Sequence, residues 1–318
     1  MNRRLASIDV GSHTARLLIA EAQRRSLGPM LARDREYINL AHYLSGDTPR
    51  LLSPEAAQVV GRCLVNFQER ISMLEGRLVL AAGTGLIREA VNREEFIGDL
   101  FEISGIRIQP ISPQREAVLS AKGALSWVKR APEKPSLVFD LGGATTEFCL
   151  VSGEEFVVRS LPLGASLLTR RFLANDPPSG LEQEALNGEI RRILSQGLKD
   201  LYLGEHIEWL IGTGGTCVSL AALSLGIGVG ELAPEVINGR ELHKEAVRLL
   251  AERLSSLKAL ERAQLKGLDE GRAPVIVAGT WIVCQIMDYL GVDKIIVSMH
   301  DLLEGMLLEF LEGEEDGG

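Results

Sequence analysis

Residues 6–18 read ASIDVGSHTARLL, and this stretch decides the expected fold. An apolar run ends at Asp9, a polar turn around Gly11 follows, and a second apolar run covers Ala15–Ala20. Two apolar runs joined by a short polar tip predict a β-hairpin. Asp and Gly favour such turns for local reasons, so the stretch alone leaves an ordinary hairpin open.

The same pattern returns at residues 137–151, where an apolar run ends at Asp140 and a glycine turn leads into a run that contains Glu147. Two such hairpins predict two structurally similar lobes, although a repeat is not visible in the sequence outside the hairpins. Backbone N–H groups of such turns can close on a phosphate, while the carboxylates reach a magnesium ion.

The two hairpins therefore supply candidate phosphate-binding and metal-binding residues. The phosphate-binding candidates are Gly11, Ser12, His13, Thr14, Gly142, Gly143, Ala144 and Thr145. The metal candidates are Asp9, Asp140 and Glu147, with an exposed strand carboxylate as the alternative interpretation of Glu147. A third turn, Gly212–Thr216, precedes a helical segment and adds Gly214 and Gly215, because a helix start offers N–H donors to an anion. Such a turn can also serve only to pack a helix closely on a sheet.

Composition limits the partners. The 318 residues suggest about two domains, each large enough to bury a core. The net charge of −9 argues against binding to duplex nucleic acid. The four scattered cysteines favour buried thiols over a disulfide framework, and the N-terminus does not have the form of a signal peptide. We therefore expect a cytoplasmic protein without a membrane span.

Six motifs resemble the actin, hexokinase and heat-shock ATPase superfamily and, more closely, the exopolyphosphatase and guanosine pentaphosphate phosphohydrolase family (Ppx/GppA phosphatases). They are ASIDVGSHTARLL (6–18), AAGTGLIREAVN (81–92), ISPQREAVLSAKG (111–123), VFDLGGATTE (138–147), IGTGGTCVSLAAL (211–223) and KGLDEGRAPVIVA (266–278).

The resemblance implies a fold class: α/β, with two-lobed, actin-like (ribonuclease H-like) duplicated domains and an interlobe cleft. Domain I is expected to comprise residues 1–128 and about 300–318, and domain II residues 129–299, with a proline-bearing linker at 129–135. The length fits the short two-domain form of the family, and a homodimer is implied.

The resemblance also implies an activity, which is the magnesium-dependent hydrolysis of terminal phosphoanhydride bonds in polyphosphate, guanosine pentaphosphate or both. Glu116 matches the carboxylate that activates the attacking water, and Arg88 matches an arginine that faces the phosphates. The alternative interpretation of Glu116 is a first-turn glutamate favoured by the helix dipole, and that of Arg88 is an ordinary surface cation. Arg93 is a weaker candidate for the same phosphate-facing surface.

The sequence departs from the family pattern at three places, and the last of them motivates a second hypothesis. His13-Thr14 stands where the family usually has Asn-Ser, and Ala144 replaces a glycine. In Met299–Gly305 the family's Asp, Gly and Arg are replaced by Met299, Asp301 and Leu303. A catalytically weak polyphosphate-binding or alarmone-binding regulator is one alternative, and a kinase of the same superfamily is another.

Several elements are predicted from pattern and capping residues. A helix is expected from Ser53 to Leu74, with Pro54 in its first position. Further helices are expected over 182–199, 239–256 and 301–311, followed by a frayed acidic tail at 312–318.

Overall fold

The computed structural model describes residues 3–23, 26–45, 50–128, 134–201 and 207–315. Contacts between Cα atoms divide the chain into two units. Unit 1 comprises Met1–Gly123 and Leu302–Gly318, and unit 2 comprises Ala124–Asp301. The predicted domain bounds, and the roles expected for each domain, stay a prediction. Residues 129–133 of the predicted linker lie outside the described residues.

Unit 1 is built on a five-stranded sheet with helices between and after its strands. Its elements are β1 (Arg3–Val10), β2 (Thr14–Gln23), β3 (Ser26–Tyr37), β4 (Leu44–Ser45), β5 (Leu51–Leu52), α1 (Pro54–Met73), β6 (Arg77–Gly83), α2 (Gly85–Glu89), α3 (Arg93–Ser104), β7 (Gln109–Pro110), α4 (Pro113–Leu125) and, after unit 2, α12 (Leu302–Glu315). The sheet order is β3-β2-β1-β6-β7, and β4 pairs with β5 separately. The boundary between the units falls within α4.

Unit 2 has a six-stranded sheet. Its elements are β8 (Ser136–Leu141), β9 (Thr146–Ser152), β10 (Glu155–Leu161), α5 (Ala165–Phe172), α6 (Gly180–Gly197), β11 (Leu210–Thr213), α7 (Gly215–Leu225), α8 (Pro234–Ile237), β12 (Arg240–His243), α9 (Lys244–Ser256), α10 (Ala259–Arg262), α11 (Ile276–Leu290) and β13 (Lys294–Val297). The sheet order is β10-β9-β8-β11-β13-β12.

Both sheets begin with the same topology, which confirms the predicted fold class of duplicated, actin-like α/β domains. Three successive strands form an antiparallel meander, and the first of them pairs in parallel with a later strand, β6 in unit 1 and β11 in unit 2. The repeat is therefore present in the fold although the sequence shows it only in the hairpins. β12 adds an antiparallel edge strand to unit 2.

The sequence of strand β1 is almost continuously apolar because both faces of the strand are buried. Ala6, Ile8 and Val10 belong to a core cluster that also contains residues of α1 and α3, whereas Leu5 belongs to one that contains residues of α12. A strand covered on both faces needs apolar residues at successive positions. The one hydroxyl that this run buries, that of Ser7, donates to the carbonyl of Leu303 at 2.9 Å.

The capping signals predict the start of α1 correctly, but two other predicted elements need correction. The helix expected from Gly239 starts at Lys244, because Arg240–His243 pair with β13 and His243 is the extended N-cap residue. The acidic tail is helical as far as Glu315, since α12 continues through it. Ion pairs of Arg3 with Glu314 and of Lys122 with Glu312 hold this last part of α12 to unit 1.

Candidate active site

The first loop of unit 1 is a tight turn whose carbonyl groups face the protein. The N–H of Gly11 donates to the carbonyl of Thr14 at 2.9 Å. The carbonyl of Ser12 accepts from Leu40, and that of His13 accepts from two successive N–H groups at the end of β3. Turning these oxygens into the protein removes groups that would repel an anion at the turn.

The loop of unit 2 has the same construction. The N–H of Gly142 donates to the carbonyl of Thr145 at 2.9 Å. The carbonyls of Gly142 and Gly143 accept from Ala165 and Leu167 in the first turn of α5. The two loops therefore share their turn geometry. Their carbonyls accept hydrogen bonds from the residues that follow β3 in unit 1 and from α5 in unit 2. The predicted phosphate-binding roles of both loops stay a prediction.

The residue opposite the loop aspartate differs between the units. In unit 1 it is Arg16, whose Nε and Nη2 donate to Asp9 Oδ2 at 3.0 and 2.7 Å. Asp9 is 5% exposed, and its other oxygen accepts from the Thr84 hydroxyl at 3.2 Å. A metal ion bound to Asp9 would have to share the carboxylate with Arg16. Sequence reasoning missed Arg16, although the register of a hairpin with its tip at residues 11–14 places it opposite Asp9.

In unit 2 the residue opposite Asp140 is Glu147, only 4% exposed. The Ser160 hydroxyl donates to Glu147 Oε1 at 2.9 Å. Two carboxylates facing each other on adjacent strands are unfavourable unless a cation or proton compensates them. Within the described ranges, His, Cys, Asp and Glu side chains form no metal-binding group of three or more. Magnesium usually takes one or two carboxylates and completes its shell with water and phosphate oxygens, so this pair fits it.

The 84–92 motif is organised around the first loop and the adjoining strand. The N–H of Leu86 donates to Ser12 Oγ at 2.9 Å, and that of Thr84 donates to the carbonyl of Val10. The side chain of Asn92 bonds both the N–H and the carbonyl of Leu52. The motif thus fixes the start of α2 against the loop.

Arg88, at the end of α2, is bonded to the predicted catalytic glutamate. Its Nη1 lies 2.5 Å from Glu116 Oε2 and 3.1 Å from the carbonyl oxygen of Ile111. Only 13% of the arginine side chain and 15% of the glutamate side chain are exposed. Arg93 is exposed and pairs with Glu94. The short helix α2 therefore connects the first loop to Glu116, while the roles of both residues in catalysis stay a prediction.

The glycine turn of unit 2 lies against the second loop. Gly214 has φ 88°, and a Cβ there would lie 2.6 Å from the carbonyl oxygen of Leu141 and 2.9 Å from Asp140 Oδ1. A side chain is therefore excluded by both backbone strain and close approach. The guanidinium of Arg272 lies against Gly215, in the volume that a side chain would occupy. Arg272 was not among the predicted site residues, although it lies in the 266–278 motif.

The altered Met299–Gly305 segment contributes to the packing of unit 1. Leu303, which stands where the family has Arg, is fully buried in a core cluster with other residues of α12. Glu304 forms a largely buried ion pair with Arg33 at 2.5 Å, and Gly305 packs directly on the backbone of Leu119. The effect of the replaced positions on turnover stays a prediction.

The duplicated sheets, each with an Asp-Gly turn after its first strand, define an actin-like α/β protein. The chain belongs to the Ppx/GppA phosphatase family, whose model matches residues 18–314. Within the described residues, no helix is long and apolar enough to cross a bilayer.

Three relatives illustrate the similarity. Exopolyphosphatase 2 of Mycobacterium tuberculosis is 29% identical over 96% of this chain and 98% of its own length. The bifunctional 3-dehydroquinate synthase/phosphatase of Fusobacterium nucleatum subsp. nucleatum is 30% identical over 97% of this chain, which spans only 47% of that protein. The crystal structure of the Ppx/GppA family member of Aquifex aeolicus has a TM-score of 0.83, 26% identity and 99% coverage of both chains.

Proposed function

We propose that this protein is an exopolyphosphatase that hydrolyses the terminal phosphoanhydride bond of inorganic polyphosphate with magnesium. The observation that carries the proposal is the link from the first loop through α2 to Glu116, in a chain whose relatives include proteins named exopolyphosphatases. Guanosine pentaphosphate ends in the same type of bond and is a second substrate of the proposal.

The proposed steps at the reacting phosphorus use residues of unit 1. N–H groups of the loop at Ser12–Thr14 bind the terminal phosphate beside Gly11, whose own N–H is bonded to Thr14, and Glu116 accepts a proton from water. The water oxygen forms a bond to phosphorus as the bridging oxygen–phosphorus bond breaks, and the shortened chain leaves with that electron pair. Arg88 holds the Glu116 carboxylate in a fixed position during this step.

We propose that Asp140 and Glu147 hold magnesium, because they face each other on adjacent strands and carboxylate oxygens are the protein ligands that magnesium takes. The ion would neutralise negative charge on the phosphate oxygens. Asp9 stays in the proposal only as a shared ligand, since Arg16 already bonds its carboxylate. The second loop and the turn with Gly214 and Gly215 are proposed to bind further phosphate oxygens.

The regulator and the kinase hypotheses are less favoured. The regulator hypothesis is motivated by the altered 299–305 segment, whereas the family and the relatives named exopolyphosphatases favour hydrolysis. The kinase hypothesis lacks support from the family, whose description is that of phosphatases. A homodimer and a cytoplasmic location stay predictions.

Phosphate release from long-chain polyphosphate, measured with and without magnesium, tests the proposal. We expect Glu116→Gln to lower kcat by about 10²- to 10⁴-fold, the usual contribution of a general base. Glu95→Gln is the matched control, because Glu95 is also a first-turn helix glutamate of unit 1 but is exposed. Equal activity of both variants would show that Glu116 is only a helix-dipole residue, and absence of turnover by the wild type would exclude the enzyme.

A further inference from the structure

The start of α5 lies directly against the backbone of the second loop. A Cβ at Gly164, the N-cap residue of α5, would overlap the Cα and the carbonyl carbon of Ala144. Gly164 has φ −110° and ψ 142°, an extended conformation that any residue adopts. Glycine is therefore required here by the close approach of two backbone segments and not by backbone strain.

The helix and the loop also satisfy each other's backbone groups. The first N–H groups of a helix have no partner within it, and Gly164 has no side chain that could accept from them. The N–H groups of Ala165 and Leu167 donate instead to the carbonyls of Gly142 and Gly143, at 3.0 and 2.9 Å. These bonds depend on the contact at Gly164, because a Cβ there would push the helix away from the loop.

The same bonds set the direction of two N–H groups of the loop. In a planar trans peptide, the carbonyl and the N–H of the next residue point in opposite directions. Because the carbonyls of Gly142 and Gly143 point toward α5, the N–H groups of Gly143 and Ala144 point away from it. Within the part of the chain that the structure describes, neither of these N–H groups has a hydrogen-bond acceptor. Successive N–H groups directed to one side can bind an anion.

Unit 1 orients the equivalent peptide with a different element. When the two Asp-Gly turns are aligned, Ser12 corresponds to Gly143, and the carbonyl of Ser12 accepts from the N–H of Leu40. Leu40 begins a short 3-10 helix, Leu40–Tyr43, that follows the third strand of the meander, as α5 does in unit 2. The orientation of this carbonyl is therefore kept in both units although the elements that hold it differ, which favours a role in the loops themselves.

We propose that Gly164 is a positioning residue for phosphate binding by the second loop. This inference rests on the proposed function, in which that loop binds phosphate oxygens. Gly164 lets α5 contact Ala144 and hold the carbonyls of Gly142 and Gly143, and the N–H groups of Gly143 and Ala144 are thereby presented to the phosphate. Gly164 needs no contact of its own with the substrate.

Calorimetric binding of tripolyphosphate with magnesium tests the inference, with all variants made in a Glu116→Gln parent protein so that the proposed turnover does not interfere. For Gly164→Ala we expect at least about tenfold weaker binding, the loss of one charge-assisted hydrogen bond. Gly61→Ala is the matched control, because a Cβ at Gly61 would lie 2.6 Å from Ile103 Cγ2, between α1 and α3 of unit 1. The control should also lower the Tm, but it should bind within about twofold of the parent protein.

Ala165→Pro tests the same bonds without a new Cβ at Gly164. Proline is favoured at the first position of a helix and after an extended residue, but it removes the N–H that donates to Gly142. Gly180→Pro is its matched control, because Gly180 is the first residue of α6 and follows the extended Ser179. Among the described residues, the N–H of Gly180 has no acceptor. We expect about tenfold weaker binding for Ala165→Pro and no change for Gly180→Pro.

The inference is overturned if either variant, once a cooperative thermal transition shows that it is folded, binds tripolyphosphate as tightly as its control. It is also overturned if the parent protein does not bind tripolyphosphate. Binding by the parent protein together with no release of phosphate from polyphosphate by the wild type would instead refute the proposed hydrolase and leave the positioning role intact.

Discussion

Replacing Arg88 by Met separates two roles that the arginine could have. The sequence predicts a phosphate ligand, whose loss would raise KM. The structure bonds Arg88 to Glu116 Oε2 at 2.5 Å and to the carbonyl oxygen of Ile111 at 3.1 Å. An arginine that holds the glutamate in position should act mainly on kcat.

The magnitude follows from the contact that is lost. A hydrogen bond between charged, largely buried groups contributes about 1.5–3 kcal/mol. At 1.36 kcal/mol per factor of ten, that predicts a fall in kcat of about 10- to 100-fold with little change in KM. Arg88→Lys keeps the charge but not the planar guanidinium whose Nη1 reaches both oxygens, so it should fall between wild type and Met.

Steady-state phosphate release over a range of polyphosphate concentrations measures both constants. Arg93→Met is the control, because Arg93 is exposed on α3 and bonds Glu94 and the carbonyl oxygen of Arg88. The control should stay within about twofold of the wild type. A rise in KM at unchanged kcat for Arg88→Met would refute the positioning role and indicate direct contact with phosphate. If the positioning role holds, the double variant Arg88→Met, Glu116→Gln should have a kcat little lower than that of Glu116→Gln alone.

Three further changes test the fold around the site. Gly305→Ala should lower the free energy of unfolding by about 1–3 kcal/mol in a denaturant titration, because its Cβ would collide with the backbone of Leu119 and separate two packed helices. The Glu182 carboxylate accepts hydrogen bonds from the N–H groups of Ala174 and Asn175 and from the N–H and hydroxyl of Ser179, the N-cap residue of α6. The bonds from Ser179 are the largest cause that lowers the pKa of Glu182 from 4.5 to about 2. The stability that Glu182 adds should therefore be complete above pH 4.5 and be lost toward pH 2, and Glu182→Gln should flatten this part of a Tm profile. Burial raises the pKa of the Cys149 and Cys284 thiols to about 12, so alkylation monitored by mass spectrometry should modify them only after unfolding.

Much of unit 1's site could be predicted from local sequence. The apolar runs around Gly11 and the cap at Ser53 specify a hairpin and a helix start through near neighbours in the chain. The hairpin register then fixes Arg16 opposite Asp9, which was available from the sequence but was not used. Local patterns succeed here because the interacting residues are at most about seven positions apart.

Other features could not be read locally because they depend on distant strands and helices. Arg35 becomes a neighbour of Arg16 only when β3 pairs with β2 in one register, which two irregularities near Ala20 adjust. Arg272 reaches Gly215 from 57 positions away in the chain, through the folded structure of unit 2. Arg240–His243 form a strand instead of a helical turn because β13 offers an unpaired edge.

The two hairpins share one turn geometry but differ in the residues that face their aspartates. Each unit keeps the aspartate and the same glycine turn, but the residue opposite the aspartate is Arg16 in unit 1 and Glu147 in unit 2. Opposite that residue, on the third strand of each meander, lies Arg35 in unit 1 and Ser160 in unit 2. From one shared turn geometry, the first unit therefore places two arginines beside its aspartate, whereas the second places a carboxylate and a hydroxyl, which are oxygen ligands of the kind that magnesium takes.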